Sequence, residues 1–342
     1  MIELKSDELE FSFPEVHPSA RLTIGFQRTL RIPDDAREYP LPPGLGSFPL
    51  RHVDDFAPRV PAAWLEHGGV MLPMHQAEAM WLQFDAAYDE AREVEYPCAV
   101  RVAAGKINAV TGQLWTAGLH KKPQDYLVVP EQPWLDGFCV EQGTIRQFVA
   151  MPLGEGYSAE EQITGEAAHG GVQIEVWPMK REVFERRFPR IRRPRYGDLA
   201  APSAPLCCTS PYPDMGLGAG GKMRQEIYDD PFAFTDWDRA HTARCFVHLA
   251  NSEVWKAITG QAPPVEPPTA ATYTRAGLPW FDWYSETPAL QGSPFLAGLQ
   301  TVLELGKTKG ATPLPGNDPV EVGNVVHLRK GLAKDQVREG RF

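Results

Sequence analysis

The sequence predicts a β-rich α+β protein, with a sandwich- or barrel-like main sheet and a smaller α/β portion. Two observations carry that prediction. Several short runs alternate apolar and polar residues with period two, and 33 prolines and 30 glycines punctuate the chain without forming low-complexity sequence.

In chain order, RLTIGFQRTLRI (21–32) alternates Leu22, Ile24 and Phe26 against polar neighbours, which predicts a strand with one buried face. YPLPPGLGSFPL (39–50) is a connection. HQAEAMWLQFDAAYDEA (75–91) places Met80, Phe84 and Tyr88 four apart with acidic residues opposite, the spacing of a helix or irregular helical stretch. CAVRVAAGKINAV (98–110) and FCVEQGTIRQFVAM (138–151) each carry a central glycine between β-formers, as hairpins do. Ser158 followed by Glu161 is a capping-box pattern for a short helix. GVQIEVWPM (171–179) is the cleanest strand pattern.

At residue 180 the composition changes. Eight basic residues fall within Lys180–Arg195, and a Pro/Ala/Ser-rich stretch follows, so 180–222 reads as a linker or long surface excursion. It separates a β-rich domain over 1–179 from a smaller α/β portion over 223–342. In the smaller portion, 241–252 reads as a strand, Ser252 caps a helix ending at Gly260, and Thr269 caps another. FLAGLQTVLELG (295–306) fits helix and strand alike, and 320–328 is a strand candidate. If 243–250 or 320–328 returns to the main sheet, the chain is one continuous domain.

The formal net charge of −10 disfavours nucleic acid as a partner, because such binding needs a dominant basic surface. The longest apolar stretches, such as Phe148 to Leu153, fall far short of a membrane span. The start of the sequence is acidic and lacks an apolar core, so no signal peptide is expected. Cys98, Cys139 and Cys245 sit in apolar or alternating runs that suit reduced, buried thiols, and the adjacent Cys207 and Cys208 read as two ordinary thiols. The expected compartment is cytoplasmic.

Signatures of chemistry are sparse. GLGAGG (216–221) fits the spacing of a dinucleotide loop, but no strand pattern precedes it, so loop flexibility is the favoured reading. Glu166 and His169 form a lone E-x-x-H. There is no H-E-x-x-H, C-x-x-C or G-x-S-x-G, so no metal site, cofactor or serine nucleophile is expected. Asp229–Asp230 and Asp236–Asp238 read as helix-entry or turn residues rather than general acids or bases. Two aromatic runs remain, PWLDGF (133–138) and LPWFDWY (278–284). Taken singly, each reads as rings plugging the end of a sandwich. Taken together, Trp134, Asp136, Trp280, Phe281, Asp282 and Trp283 are candidate ligand contacts, because an aromatic face stacks while a carboxylate accepts hydrogen bonds. The arginines Arg186, Arg187, Arg190, Arg192 and Arg193 are a candidate anion or partner site. The competing reading pairs them with acidic residues of the same chain.

Read together, RTLRIPDD, YPLPPGLGSFPLRHVDDF, GGVMLPMHQAEAMW, KINAVTGQLW, PQDYLVVPEQPWLDGF, IRQFVAMPLGEGYSAEEQITGE, GLGAGGKMRQEIYDDP and TYTRAGLPWFDWY resemble a bacterial family of uncharacterised proteins. That family often carries the automatic label "integral membrane protein". The resemblance spans about residues 28 to 285 and implies no activity, cofactor or catalytic residue. The label implies a spanning segment that the hydropathy of this chain does not support.

The functional expectation is therefore a non-enzymatic binding or scaffold protein, engaging a protein or polymeric ligand through loop aromatics and the arginine segment. One alternative is a hydrolase-type enzyme whose site gathers dispersed residues such as Asp136, Glu166 and His169. Another is a homo-oligomeric assembly protein joined through exposed sheet edges.

Overall fold

A computed structural model of the protein describes residues 1–35, 37–191, 214–284, 288–312, 314 and 316–329. Strands account for 39% of it and helices for 17%, which makes it a β-rich α+β fold.

The first third contains β1 (Ile2–Lys5), β2 (Glu8–Ser12), β3 (Arg21–Thr29), β4 (Glu38–Tyr39), β5 (Gly44–Ser47), β6 (Arg51–His52), α1 (Ala62–His67), β7 (Val70–Met74) and β8 (Ala79–Ala86). The short ribbon β9 (Tyr88–Asp89) and β10 (Val94–Glu95) leads into β11 (Cys98–Ala104), β12 (Ile107–Asn108) and β13 (Leu127–Val129). Then come β14 (Trp134–Leu135), β15 (Gly137–Glu141), β16 (Thr144–Pro152), α2 (Ala159–Thr164), β17 (Val172–Pro178) and α3 (Arg181–Arg187). The last part holds β18 (Asp214–Arg224), β19 (Ala243–Asn251), α4 (Ser252–Thr259), α5 (Ala270–Arg275), β20 (Trp280–Tyr284), α6 (Pro294–Ala297), α7 (Val302–Thr308) and β21 (Val325–Arg329).

Seventeen of these strands, β1–β8 and β11–β19, form one mostly antiparallel sheet that does not close on itself, so the barrel-like alternative falls away. Leu22, Ile24 and Phe26 of β3 are buried, as their alternation predicts. The two expected hairpins form, β11 with β12 and β15 with β16.

The helix expected over 75–91 is a strand. β8 lies between β3 and β16, pairing along its whole length with β3 from Leu22↔Ala86 to Thr29↔Ala79. Met80 and Phe84, four apart, satisfy either periodicity. Leu82, buried between them, completes a period-two row, while Tyr88 is exposed. Neighbouring strands supply backbone partners that an isolated reading of the segment cannot see.

Residues 180–222 are not one continuous linker or excursion. Lys180–Phe188 holds α3, and the excursion is over by residue 214, where the 11-residue β18 begins. β18 pairs with β16 from Thr144↔Arg224 to Pro152↔Met215, and also with β19. GLGAGG is thus a sheet strand and not a flexible loop. Its glycines admit close neighbours: a Cβ on Gly221 would lie 2.3 Å from the carbonyl oxygen of Pro33, and one on Gly218 2.8 Å from that of Tyr157. β19 pairs antiparallel with β17 and parallel with β7, so chain on both sides of the excursion shares one sheet. β21 instead pairs with β20 in a separate parallel ribbon.

The helix caps follow local chemistry. Ser158 and Glu161 form the predicted capping box at α2, and Thr269 caps α5 by accepting from Thr272 N. Asn251 takes the place expected of Ser252, accepting from Glu253 N at 3.0 Å, and Gly260 closes α4 in the left-handed conformation. The ambiguous 295–306 is helical, as α6 and α7.

Cys98, Cys139 and Cys245 are buried free thiols, and burial pushes the thiols of Cys139 and Cys245 up to about 12. Cys207 and Cys208 lie outside the described residues. Among the described residues, no helix is long and apolar enough to cross a membrane.

Arg101 is a fully enclosed charge. Arg101 on β11 pairs with Glu175 at 2.6 Å and Asp125 at 3.1 Å, and its guanidinium lies 4.0 Å from the ring centre of Trp115 and 5.3 Å from that of Trp177.

Candidate functional site

The two aromatic runs lie on strands rather than loop tips. WLDGF enters the sheet because β14 pairs with β8 (Trp134↔Gln83, Leu135↔Leu82), while Gly137 opens β15 against β16. Only glycine fits there, since a Cβ would stand 1.9 Å from the carbonyl oxygen of Arg146. WFDWY forms β20, whose Phe281 exchanges backbone hydrogen bonds with Leu41 at 2.8 and 2.9 Å and whose other edge pairs with β21.

These strands bring Trp134 and Trp283, from opposite halves of the chain, into edge-to-face contact, with ring centres 5.0 Å apart and planes at 78°. Both residues are half-buried. Side chains alternate along a strand, so Phe281 and Trp283 share one face of the ribbon with Val326 and the exposed Leu328, which are their parallel-register partners. The indole N–H of Trp283 is buried and has no hydrogen-bond acceptor among the described residues. Such groups cost free energy and are uncommon in folded proteins.

The other expected contacts are placed differently. Trp280 is sealed in the core, donating to Thr274 Oγ1 at 3.0 Å and flanked by Tyr39 and Tyr273, so it is no ligand contact. Asp282 points to the opposite face of the ribbon from Trp283. There it meets Arg224 at 3.3 Å and His327 at 3.7 Å, a polar trio that the sequence pattern did not reveal. Asp136 is buried beneath β14 in a reciprocal amide pair: its N–H donates to Gln225 Oε1 at 3.0 Å, and Gln225 Nε2 donates to its Oδ2 at 2.8 Å. Burial pushes its carboxyl up to about 7, against the hydrogen bonds from Gln225 and the Trp134 side chain. Asp136 therefore supports Trp134 from below and is not itself open to a ligand.

The arginine segment splits in the same way. Arg187 pairs with Asp236 at 3.3 Å and lies over the Phe232 ring at 4.9 Å, as the intramolecular reading expects. Arg186 and Arg190 are exposed. Arg192 and Arg193 lie outside the described residues. Phe184 anchors α3 in the core, while Ile191 is exposed.

The dispersed trio of the hydrolase alternative does not assemble. Asp136 shares no hydrogen bond or ion pair with Glu166 or His169. Glu166 is exposed, and the His169 ring meets the edge of His67 at 5.8 Å, with Nδ1 buried and without a partner among the described residues. Among the described residues, no group of three or more His, Cys, Asp or Glu side chains is placed to hold a metal ion. Comparison of the chain with protein-family models, with curated proteins and with solved structures finds no match in any of the three.

Proposed function

We propose that the protein is a binding or scaffold protein that engages a protein or polymeric ligand through the apolar ribbon face of Trp134, Phe281, Trp283 and Leu328. The exposed Arg186 and Arg190 on and beyond α3 supply a separate electrostatic contact for an acidic region of the same ligand. The observation that carries this reading is the half-buried Trp134–Trp283 pair, built from two remote strands, with an indole N–H that has no acceptor among the described residues. Tryptophan and arginine dominate binding energy at interfaces, because a large flat surface is desolvated there with little loss of side-chain freedom.

Immobilised protein tests the reading directly. Wild type should retain a discrete set of lysate components or polymers, Trp283→Ala should lose them, and Trp283→Phe should keep part of the capture. Arg186→Glu with Arg190→Glu should weaken retention most at low salt, where exposed charges are least screened. Capture by a Trp283→Ala variant equal to wild type, with an unchanged circular dichroism spectrum, would overturn the reading.

A further inference from the structure

Directly opposed residues on antiparallel strands point to one side of a sheet, so register fixes which side chains share a face. One row crosses five strands as Lys5, Glu8, Gly25, Gln83 and Trp134, from β1 through β2, β3 and β8 to β14. Beside it run a row of Glu3, Glu10, Thr23 and Asp85 and a row of Ser47, Gln27 and Trp81. Apart from Gly25, these side chains are exposed or half-buried, whereas the alternate positions, such as Leu9, Ile24 and Leu82, are sealed in the core.

Gly25, at the centre of this polar face, is out of place. A glycine inside a strand weakens it and often marks the close approach of another backbone or of a ligand. At Gly137, Gly218 and Gly221 the protein's own backbone takes the space of a Cβ. At Gly25 the nearest atoms to a Cβ are all in side chains: Glu8 Oε1 at 3.3 Å, Gln27 Nε2 at 3.4 Å and Gln83 Cβ at 3.8 Å. Its φ is not positive either, so neither conformation nor backbone crowding requires glycine there. The polar groups around it are only partly engaged. Gln27 Nε2 donates to Ser47 Oγ at 3.0 Å and Gln83 Nε2 to Asp85 Oδ2 at 2.7 Å, while both amide oxygens have no donor among the described residues. Trp81 reaches across β3, its Cζ2 standing 3.6 Å from the place of a Cβ on Gly44, so the ring lies along the face. The carboxylates of Glu3, Glu8, Glu10 and Asp85 outnumber the cations of Lys5 and Arg21, and Lys5 is held by Glu3 at 2.5 Å and Glu10 at 2.8 Å. Such a face repels nucleic acid and acidic polymers. It suits a neutral sugar chain, because an indole covers the C–H side of a sugar ring while amides and carboxylates bond its hydroxyls. At about 4.8 Å per strand, Glu8 to Trp134 spans about 14 Å, the reach of an oligosaccharide rather than of a single small molecule.

We propose that this face binds a neutral oligosaccharide laid over Gly25 across β2, β3 and β8, with the Trp81 indole against a sugar ring and Gln27, Gln83 and Asp85 bonded to its hydroxyls. The inference goes beyond the ribbon reading and uses other residues, Trp134 alone bordering both faces.

Titration of the full chain with cellohexaose, maltohexaose and mannohexaose, followed by calorimetry and by tryptophan fluorescence, tests it. Saturable binding of at least one is expected. Trp81→Ala should weaken that binding about tenfold, the loss of one stacked ring, and Gln83→Ala about fivefold, the loss of one hydrogen bond. Gly25→Val separates binding from folding. Valine suits a strand better than glycine, so the urea midpoint should hold or rise, while the planted side chain should weaken sugar binding about tenfold or more. Trp283→Ala, on the ribbon, should bind the sugar as wild type does, so each reading can fail without the other. If Trp81→Ala does not fold, Gln83→Ala and Gly25→Val decide the matter. Absence of both heat and a fluorescence change with all three sugars at millimolar concentration overturns the proposal. So does a folded Gly25→Val variant that binds as tightly as wild type.

Discussion

Replacing Asp136 with Asn should stabilise the protein at neutral and alkaline pH and destabilise it slightly in acid. The carboxyl is 4% exposed, and burial raises it from its ordinary value of 3.8 to about 7. Between those two values the folded chain holds a proton that the unfolded chain has released. Stability from this group is therefore fully present below pH 3.8 and is lost as pH rises to 7. About three pH units at about 1.4 kcal/mol each make a loss of about 4 kcal/mol, an upper figure for a group that can relax toward water. Asparagine keeps an acceptor for Gln225 Nε2 and never ionises, but it gives up one carboxyl oxygen at a cost of about 1 kcal/mol. Urea unfolding of both proteins from pH 4 to pH 8.5 is the assay. The variant should be weaker by about 1 kcal/mol at pH 4 and stronger by about 2–3 kcal/mol at pH 8. Other titrating groups cancel in the difference between the two curves. A difference that stays flat across this range would refute the reasoning, since it would mean that Asp136 titrates alike in the folded and unfolded chains.

Two further predictions concern buried charge. Arg101→Met leaves Glu175 and Asp125 enclosed without their shared cation, and it should cost about 3–5 kcal/mol in urea unfolding at pH 7, with a loss below about 1 kcal/mol contradicting the burial argument. His248, stacked on Trp64 and Phe246 with Nε2–H donating to Gly68 O at 3.0 Å, is held down at about 4 mainly by burial. From pH 6.5 down to 4 the unfolded chain takes up a proton that the folded chain refuses, so stability should fall by about 3 kcal/mol over that window. His248→Phe should remove that part of the acid sensitivity, and an unchanged slope would rule His248 out as its source.

Features that depend on near neighbours along the chain were legible in the residues alone. The alternation of Leu22, Ile24 and Phe26 marked β3 because one buried face demands period two. Ser158 with Glu161, Thr269 and Gly260 marked helix ends because capping is satisfied within a few residues. The β-rich class followed from those same local patterns. Features that depend on partners far away in the chain emerged only in the folded arrangement. Met80 and Phe84 fit two periods equally, and the choice of strand came from β3 and β16 supplying backbone partners on both sides. GLGAGG looked like a loop because no strand pattern precedes it. It is a strand because β16 pairs with it, and Pro33 and Tyr157 press too close for a Cβ at Gly221 and Gly218. The candidate site divides along the same line. Composition picked out Trp134 and Trp283, but their contact, the sealing of Trp280 and the turning of Asp282 toward Arg224 and His327 are set by strand register, and a residue type carries no record of which face it will occupy.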